Sequence, residues 1–377
     1  MADVAILERA GGLKGELVAF SQQRRYGRAA SEFLERYGSG LEEFDEQRLM
    51  LLWDCFVLEH KLANGRTVVE QFVAANPQLS EAEREMLLGW QDVVQGPFEV
   101  LRRDGPALVV QGLVDELTYR VRSNMGPGIF RRTPRGSFII ARLVAVGDEW
   151  MLSGPLTVLR AAERSIAYRL AMDMALRTPE AVFRNPEKLA LAWEQQRTDR
   201  NRFVRFFGAD LVVVPGEQAQ DRVNAFYAFC REEILGGPEP DGVPAEVAVE
   251  LPSGMVESET VALIYDETDG IGFYADFGLV EQAFTDPDLL RRRRWREHVL
   301  SYLHDDSVEP MVLRRLAERD PEKASVVFRR LLKRPRFEWS RDGEEMLREV
   351  KPGYYARPPR PRVSPVSERL AAFAGRQ

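Results

Sequence analysis

An α+β protein, mainly helical, with an inserted small antiparallel β-barrel and a second small β-containing patch, is the fold class this sequence predicts. Three observations predict it. Residues 97–153 break into short apolar runs of strand length separated by turn residues, while the flanking segments carry apolar residues at helical spacing. A second β-rich run, Thr260 to Tyr265, follows a Gly/Pro linker at Gly236 to Pro244. Helix starts that read cap residue, then Pro, then acid recur at Thr178-Pro179-Glu180, Asn185-Pro186-Glu187, Asp286-Pro287-Asp288 and Asp320-Pro321-Glu322.

Residues 1–95 read as an N-terminal helical region. Leu34, Phe44, Leu49, Leu52, Trp53 and Phe56 supply its apolar positions, and Asn64-Gly65 breaks it. Ser80-Glu81-Ala82-Glu83 is a capping box, in which hydroxyl and carboxylate each satisfy the other residue's backbone N–H. Gly96-Pro97 is expected to open the barrel, residues 96–155. Its strands are Phe98 to Leu101, Ala107 to Val110, Leu117 to Val121, Phe138 to Val144 and Glu149 to Leu152, with hairpin turns at Asp104-Gly105 and Gly147-Asp148. Helices resume near Leu156 in a region 156–245 that holds one short strand, Asp210 to Val214. A small β patch spans 246–285, where Val247, Val249 and Leu251 alternate before a Pro252-Ser253-Gly254 turn. A basic helical region covers 286–352. Residues 353–377 form a Pro-rich extended tail with a short terminal helix from Ser364-Pro365 carrying Val366, Leu370 and Phe373.

The chain of 377 residues is 45% hydrophobic and 29% charged, with a net charge of −7, as for a water-soluble globular protein. No apolar run approaches the ~20 residues of a membrane span, and the N-terminus lacks the pattern of a signal peptide. Cys55 and Cys230 sit in apolar runs and read as small hydrophobes, so a reducing cytoplasm is expected. The charge is uneven. Residues 291–377 hold 22 Lys+Arg against 13 Asp+Glu, whereas residues 1–290 hold 30 against 46. A basic end of this kind either meets an acidic partner or lies on acidic groups of its own chain.

The chemistry-bearing motifs are few. His298 and His304 lie six apart, so they point to different faces of a helix and make no metal pair. There is no His-Glu-x-x-His run, no Gly-x-Ser-x-Gly elbow and no phosphate-binding Gly-x-x-x-x-Gly-Lys loop. Gly270 to Ala275 matches a dinucleotide fingerprint in letters only. Acids surround it and no helix start follows Gly272. No cofactor is expected. If a metal binds, its seat would be Asp266, Glu267, Asp269 and Asp276. The sharpest basic feature is Arg291, Arg292, Arg293, Arg294, Trp295 and Arg296, an arginine cluster on a helix whose apolar stripe runs through Trp295, Val299 and Tyr302. Arginine forks suit phosphates, and Trp295 offers a stacking plane; the other reading is an amphipathic helix whose arginines pair with acidic groups of the same chain. The barrel adds Arg102, Arg103, Arg120, Arg122, Arg131, Arg132, Arg135 and Arg142, with Tyr119 and Phe130 as candidate stackers.

Several segments resemble a group of uncharacterised bacterial proteins, some of which carry a SEC-C zinc-binding tail. They are Leu62 to Thr67, the helix from Ser80, Phe98-Glu99-Val100, Ala141 to Gly147 with Trp150, Leu152 to Pro155, Arg205 to Gly208, Ile264 to Glu267 and Gly272 to Gly278. The resemblance covers most of residues 50–352 and implies the fold without a mechanism. The zinc-binding tail has no counterpart here, since no cysteine follows Cys230. The resulting expectation is a cytoplasmic, non-membrane binding module that contacts RNA, a ribonucleoprotein or a protein partner through the barrel and the arginine-rich helices. Two alternatives are a metal-dependent hydrolase built on the 266–276 acids and a structural adaptor docking through its C-terminal tail.

Overall fold

The structure is a computed structural model that describes residues 4–38, 46–235, 249–363, 365 and 368–374. Phe44, Val247, Ser364, Val366 and the linker from Gly236 to Pro244 therefore lie outside the described residues. The mainly helical α+β class holds, with a closed five-stranded barrel and a separate three-stranded sheet. In chain order the elements are α1 (Val4–Ser21), α2 (Gly27–Tyr37), α3 (Glu46–Leu58), α4 (Val68–Ala75), α5 (Glu81–Gly89), β1 (Val94–Asp104), β2 (Ala107–Gly112), β3 (Thr118–Arg122), β4 (Phe138–Val146), β5 (Glu149–Leu152), β6 (Thr157–Leu159), α6 (Arg164–Arg177), α7 (Pro179–Val182) and α8 (Pro186–Phe207). They continue with β7 (Leu211–Pro215), α9 (Gly216–Leu235), α10 (Ser253–Val256), β8 (Thr260–Asp266), β9 (Gly270–Ala275), α11 (Phe277–Thr285), α12 (Arg293–His304), α13 (Pro310–Arg319), α14 (Pro321–Leu332), α15 (Trp339–Val350), α16 (Pro352–Tyr355) and α17 (Glu368–Ala374).

The chain forms two compact units. One comprises residues 1–189 with 364–377, the other residues 190–363. The N-terminal helices and the barrel share a unit because β4 is buried on both faces. Its Ile139, Ala141 and Leu143 point into the barrel, while Val144 and Val146 join Met151 in a second core with Leu13, Leu17, Phe56 and Trp90. The Ser80–Glu83 capping box forms as expected, and Thr67 with Glu70 forms another.

The barrel closes in the order β1-β2-β3-β5-β4 and back to β1, with β3 and β5 parallel and the other pairs antiparallel. Period-two alternation fills it: Phe98, Val100, Leu108, Val110, Tyr119 and Val121 all point inward. The turns at Gly105 and Gly147 fall where expected, each glycine at positive φ (59° and 61°). Two boundaries differ from expectation. The helix ends at Gly89 and β1 begins at Val94, so Gly96-Pro97 lies inside the strand. The segment after Leu156 first adds β6 to the edge of β4 before any helix begins.

In the second unit β7, β8 and β9 form an antiparallel sheet in that order, so Leu211–Pro215 pairs with the β-rich run across the expected 245/246 boundary. Central β8 is covered on both sides. Val261, Leu263 and Tyr265 pack with Phe203, Val223 and Phe226, while Ala262 and Ile264 face the core of α11 to α15. The strand expected around Val249 and Leu251 does not form. Leu251 donates its N–H to the Gln220 side chain, and Ser253–Val256 is a helical turn.

Candidate nucleic-acid interface

The arginine cluster at 291–296 lies at the start of α12, exposed on its outer side, with Val299, Tyr302 and Leu303 buried beneath as the apolar stripe requires. A helix N-terminus is an unfavourable place for cations, because the macrodipole is positive there. Carboxylates of the same unit offset that cost. Arg294 meets Glu259 at 2.6 Å, Arg293 meets Glu297 at 2.6 Å and Arg291 meets Asp288 at 3.6 Å. The Arg292 guanidinium lies 5.5 Å from the ring centre of Trp295, whose indole N–H donates to Gln282. Trp295 is thus half-buried in the core of its own unit. The cluster is largely neutralised, with Arg292 and Arg296 left without a described carboxylate partner.

Inside the barrel unit three arginines are also spoken for. Arg120 and Arg122 hold opposite oxygens of Glu149 at 2.9 and 2.8 Å, and Arg120 also meets Asp104. The Glu149 side chain is 1% exposed. Burial works to raise its pKa, and the two guanidinium groups outweigh that and hold it lowered. Arg142 is buried in a network that ties β4 to the N-terminal helices. Its Nε donates to Asp54 Oδ2 at 2.7 Å, while Lys14 and Ser153 donate to Asp54 Oδ1 at 2.6 and 2.8 Å. Burial pushes the Asp54 pKa up, and Lys14 with Arg142 overcomes it, leaving the carboxylate below its usual range. Of the two readings open for Tyr119 and Phe130, surface stacker or core, the structure gives core. At 2% and 1% exposed, both are core, and Tyr119 packs edge-on against Phe98 and Trp150 with its hydroxyl on Asp115.

One end of the barrel is different. A bulge in β1 sets Val100 opposite Val110 and Arg102 opposite Val109, so the extra residue Leu101 shifts the register just before Arg102 and Arg103. Both arginines are exposed. The β3–β4 connection lies beside them. Gly136 N–H donates to Val100 O at 2.9 Å, and Arg103 Nη2 reaches Pro127 O at 3.5 Å. In that connection a 3₁₀ turn, Pro127–Arg132, drops Phe130 into the barrel core as a plug. Arg131 and Arg132 remain outside, and Arg135 is exposed in the next turn. Arg102, Arg103, Arg131, Arg132 and Arg135 have no carboxylate partner among the described residues. Met125 in the same connection is 79% exposed. Sequence reasoning had these arginines in its inventory but could not separate them from Arg120, Arg122 and Arg142, since pairing across strands sets the difference.

The acidic cluster does not assemble. Asp266 accepts the N–H groups of Thr268 and Asp269 and meets Arg315 at 2.9 Å; Glu267 faces Arg200 at 3.6 Å. Asp269 accepts the Tyr354 hydroxyl, and burial pushes its carboxyl up to about 6. Asp276, in a left-handed conformation (φ 54°), accepts Glu259 N–H and faces His298. Among the described residues no three His, Cys, Asp or Glu side chains converge as metal ligands, so the donor set expected at 266–276 is dispersed over separate ion pairs.

Asp276 and His298 border a cleft of about 470 Å³ with Phe273, Tyr302 and Ser301. Both nitrogens of His298 are engaged, Nδ1 with Arg294 O at 2.8 Å and Nε2 with Asp276 at 3.3 Å. The ring therefore has no nitrogen left to activate Ser301. Burial pushes the thiols of Cys55 and Cys230 up to about 11, away from nucleophilic reactivity. No helix among the described residues is long and apolar enough to cross a membrane. In comparisons with known proteins, no family model matches this chain, and no curated protein and no solved structure gives a match.

Proposed function

We propose that the protein is a non-enzymatic binding module that contacts RNA, free or within a ribonucleoprotein, through the arginine-bearing end of its barrel. One observation carries the reading: five exposed arginines share that end without a described carboxylate partner, whereas Arg120, Arg122 and Arg142 of the barrel and three of the five arginines at 291–296 are held by carboxylates. Unpaired guanidinium groups are free to displace counterions from phosphates, which is the main source of affinity for nucleic acid. The barrel's closed strand order is that of five-stranded Greek-key barrels, a platform often used for oligonucleotides. That support is by analogy. Two unpaired cysteines suit a reducing compartment, so the proposal places the protein in the cytoplasm. Kinship with the SEC-C-associated group, resting on the motif residues quoted above, is part of the same proposal.

The test is fluorescence anisotropy with a labelled 12-nucleotide single-stranded RNA, titrated at several salt concentrations. If all five arginines meet phosphates, log K should fall with log salt at a slope of about −3.5. Replacing Arg102, Arg103, Arg131, Arg132 and Arg135 with alanine should weaken binding by about 100-fold or more and flatten the slope. Binding by that variant at unchanged affinity would refute the assignment.

A further inference from the structure

We infer that the face formed by β1, β2, β4 and α6 is a docking groove for a short basic amphipathic helix, kept closed by the chain's own residues 368–374. The helix α17 has seven described residues. Isolated helices shorter than about 12 residues are marginal in water, so α17 owes its form to the surface that holds it. Three anchors do the holding. Leu370 is 1% exposed. The Phe373 ring stacks on Tyr168 of α6 at 5.4 Å and 29°, and Tyr168 in turn meets Phe138 of β4 at 5.9 Å. Arg369 Nη1 lies 2.8 Å from Glu99 of β1 and 3.5 Å from the Gln111 amide oxygen of β2.

Leu370 and Phe373 lie three apart on one face of the helix, and Arg369 beside them reaches an acidic partner, a short form of helix-in-groove recognition. The tail is thus a resident ligand. The partner the groove fits is a peptide carrying the same three anchors with a basic residue opposite Glu99. A tethered ligand sits at an effective concentration of order millimolar, so a free peptide competes poorly until the tail lets go. Release of these described anchors is a local opening rather than an unfolding of the unit. This inference is independent of RNA binding.

The experiment uses the full-length chain with Leu370→Ala and Phe373→Ala, which empties the groove, and a fluorescein-labelled peptide of residues 363–377 as probe. Circular dichroism and thermal melting report whether the variant is folded. The emptied chain should bind the peptide at least about ten-fold more tightly than the wild type, whose tail competes. Adding Glu99→Lys to the emptied chain should weaken binding by about ten-fold through like-charge repulsion. A folded variant that does not take up the peptide, or binds it equally well with Glu99→Lys, overturns the inference. So does loss of fold in the Leu370→Ala/Phe373→Ala chain, since α17 would then be an integral part of the core.

Discussion

The start of α12 and the open end of the barrel both present five arginines, yet they differ in what surrounds them. Around α12, Asp288, Glu297 and Glu259 take three of the five. In the barrel Asp104 and Glu149 are held by Arg120 and Arg122, and five arginines stay free of described carboxylates. The denser run in sequence therefore keeps fewer unpaired guanidinium groups, two against five among the described residues. Arginine density measures cationic capacity. Which acids the fold brings alongside decides how much of that capacity faces outward.

The comparison breaks most decisively by removing each group in turn. Five alanines at the barrel end should weaken RNA binding by about 100-fold or more, close to 3 kcal/mol, while five alanines at 291–294 and 296 should cost about three-fold. Anisotropy at one fixed salt concentration reads both, and equal losses would erase the distinction.

A second contrast lies in pH. Asp54 in the barrel unit has a lowered pKa, so its contribution to stability is present above its unfolded pKa and fades as pH falls through the lower, folded one. Asp269 in the other unit is raised from 3.8 to about 6, because burial and the neighbouring Asp266 and Glu309 disfavour its charge, although Tyr354 partly offsets this. Its contribution is full below pH 3.8 and is lost as pH rises through about 6. Asp269→Asn should therefore stabilise the protein at pH 8, on the order of 2 kcal/mol, and leave it unchanged near pH 4. Urea denaturation at the two pH values checks this. An equal effect at both would remove Asp269 as the cause.

Pairing itself can be edited. Glu149→Gln takes the charge from the buried partner of Arg120 and Arg122. It should cost about 1–2 kcal/mol in stability and raise RNA affinity two- to three-fold as Arg122 is released and Arg120 keeps only Asp104. The smallest effect is expected from Glu259→Gln with Glu297→Gln. These surface pairs are worth less than about 1 kcal/mol, and freeing Arg293 and Arg294 should raise RNA affinity two- to three-fold without altering the melting temperature. A fall in affinity from either substitution would show that the carboxylates do more than mask charge.

Much of the architecture is legible in residue order, for local reasons. Hairpin glycines at 105 and 147, the Ser80–Glu83 box, the cap at Asp320 and the strand alternation through Phe98, Leu108, Tyr119 and Ile139 act within a few residues of themselves. Strand β6, three residues long, carries too little pattern to be seen, and the alternation of Val249 and Leu251 misleads because the Gln220 side chain takes the Leu251 N–H. The candidate site was legible only as an inventory. Arg142 and Arg131 look alike in sequence, yet one is buried on Asp54 and the other stands in solvent. Tyr119 resembles a surface stacker until the barrel closes over it.

Composition and short-range pattern by themselves determined that this chain is mainly helical, carries a small barrel and keeps a basic C-terminal region. Tertiary structure alone decided which guanidinium groups keep a free charge, where the acids disperse and what the terminal helix covers. The reason is range: backbone preferences and turn chemistry act over a few neighbours, whereas a charge is satisfied by whatever the fold brings within about 4 Å of it, from any distance along the chain.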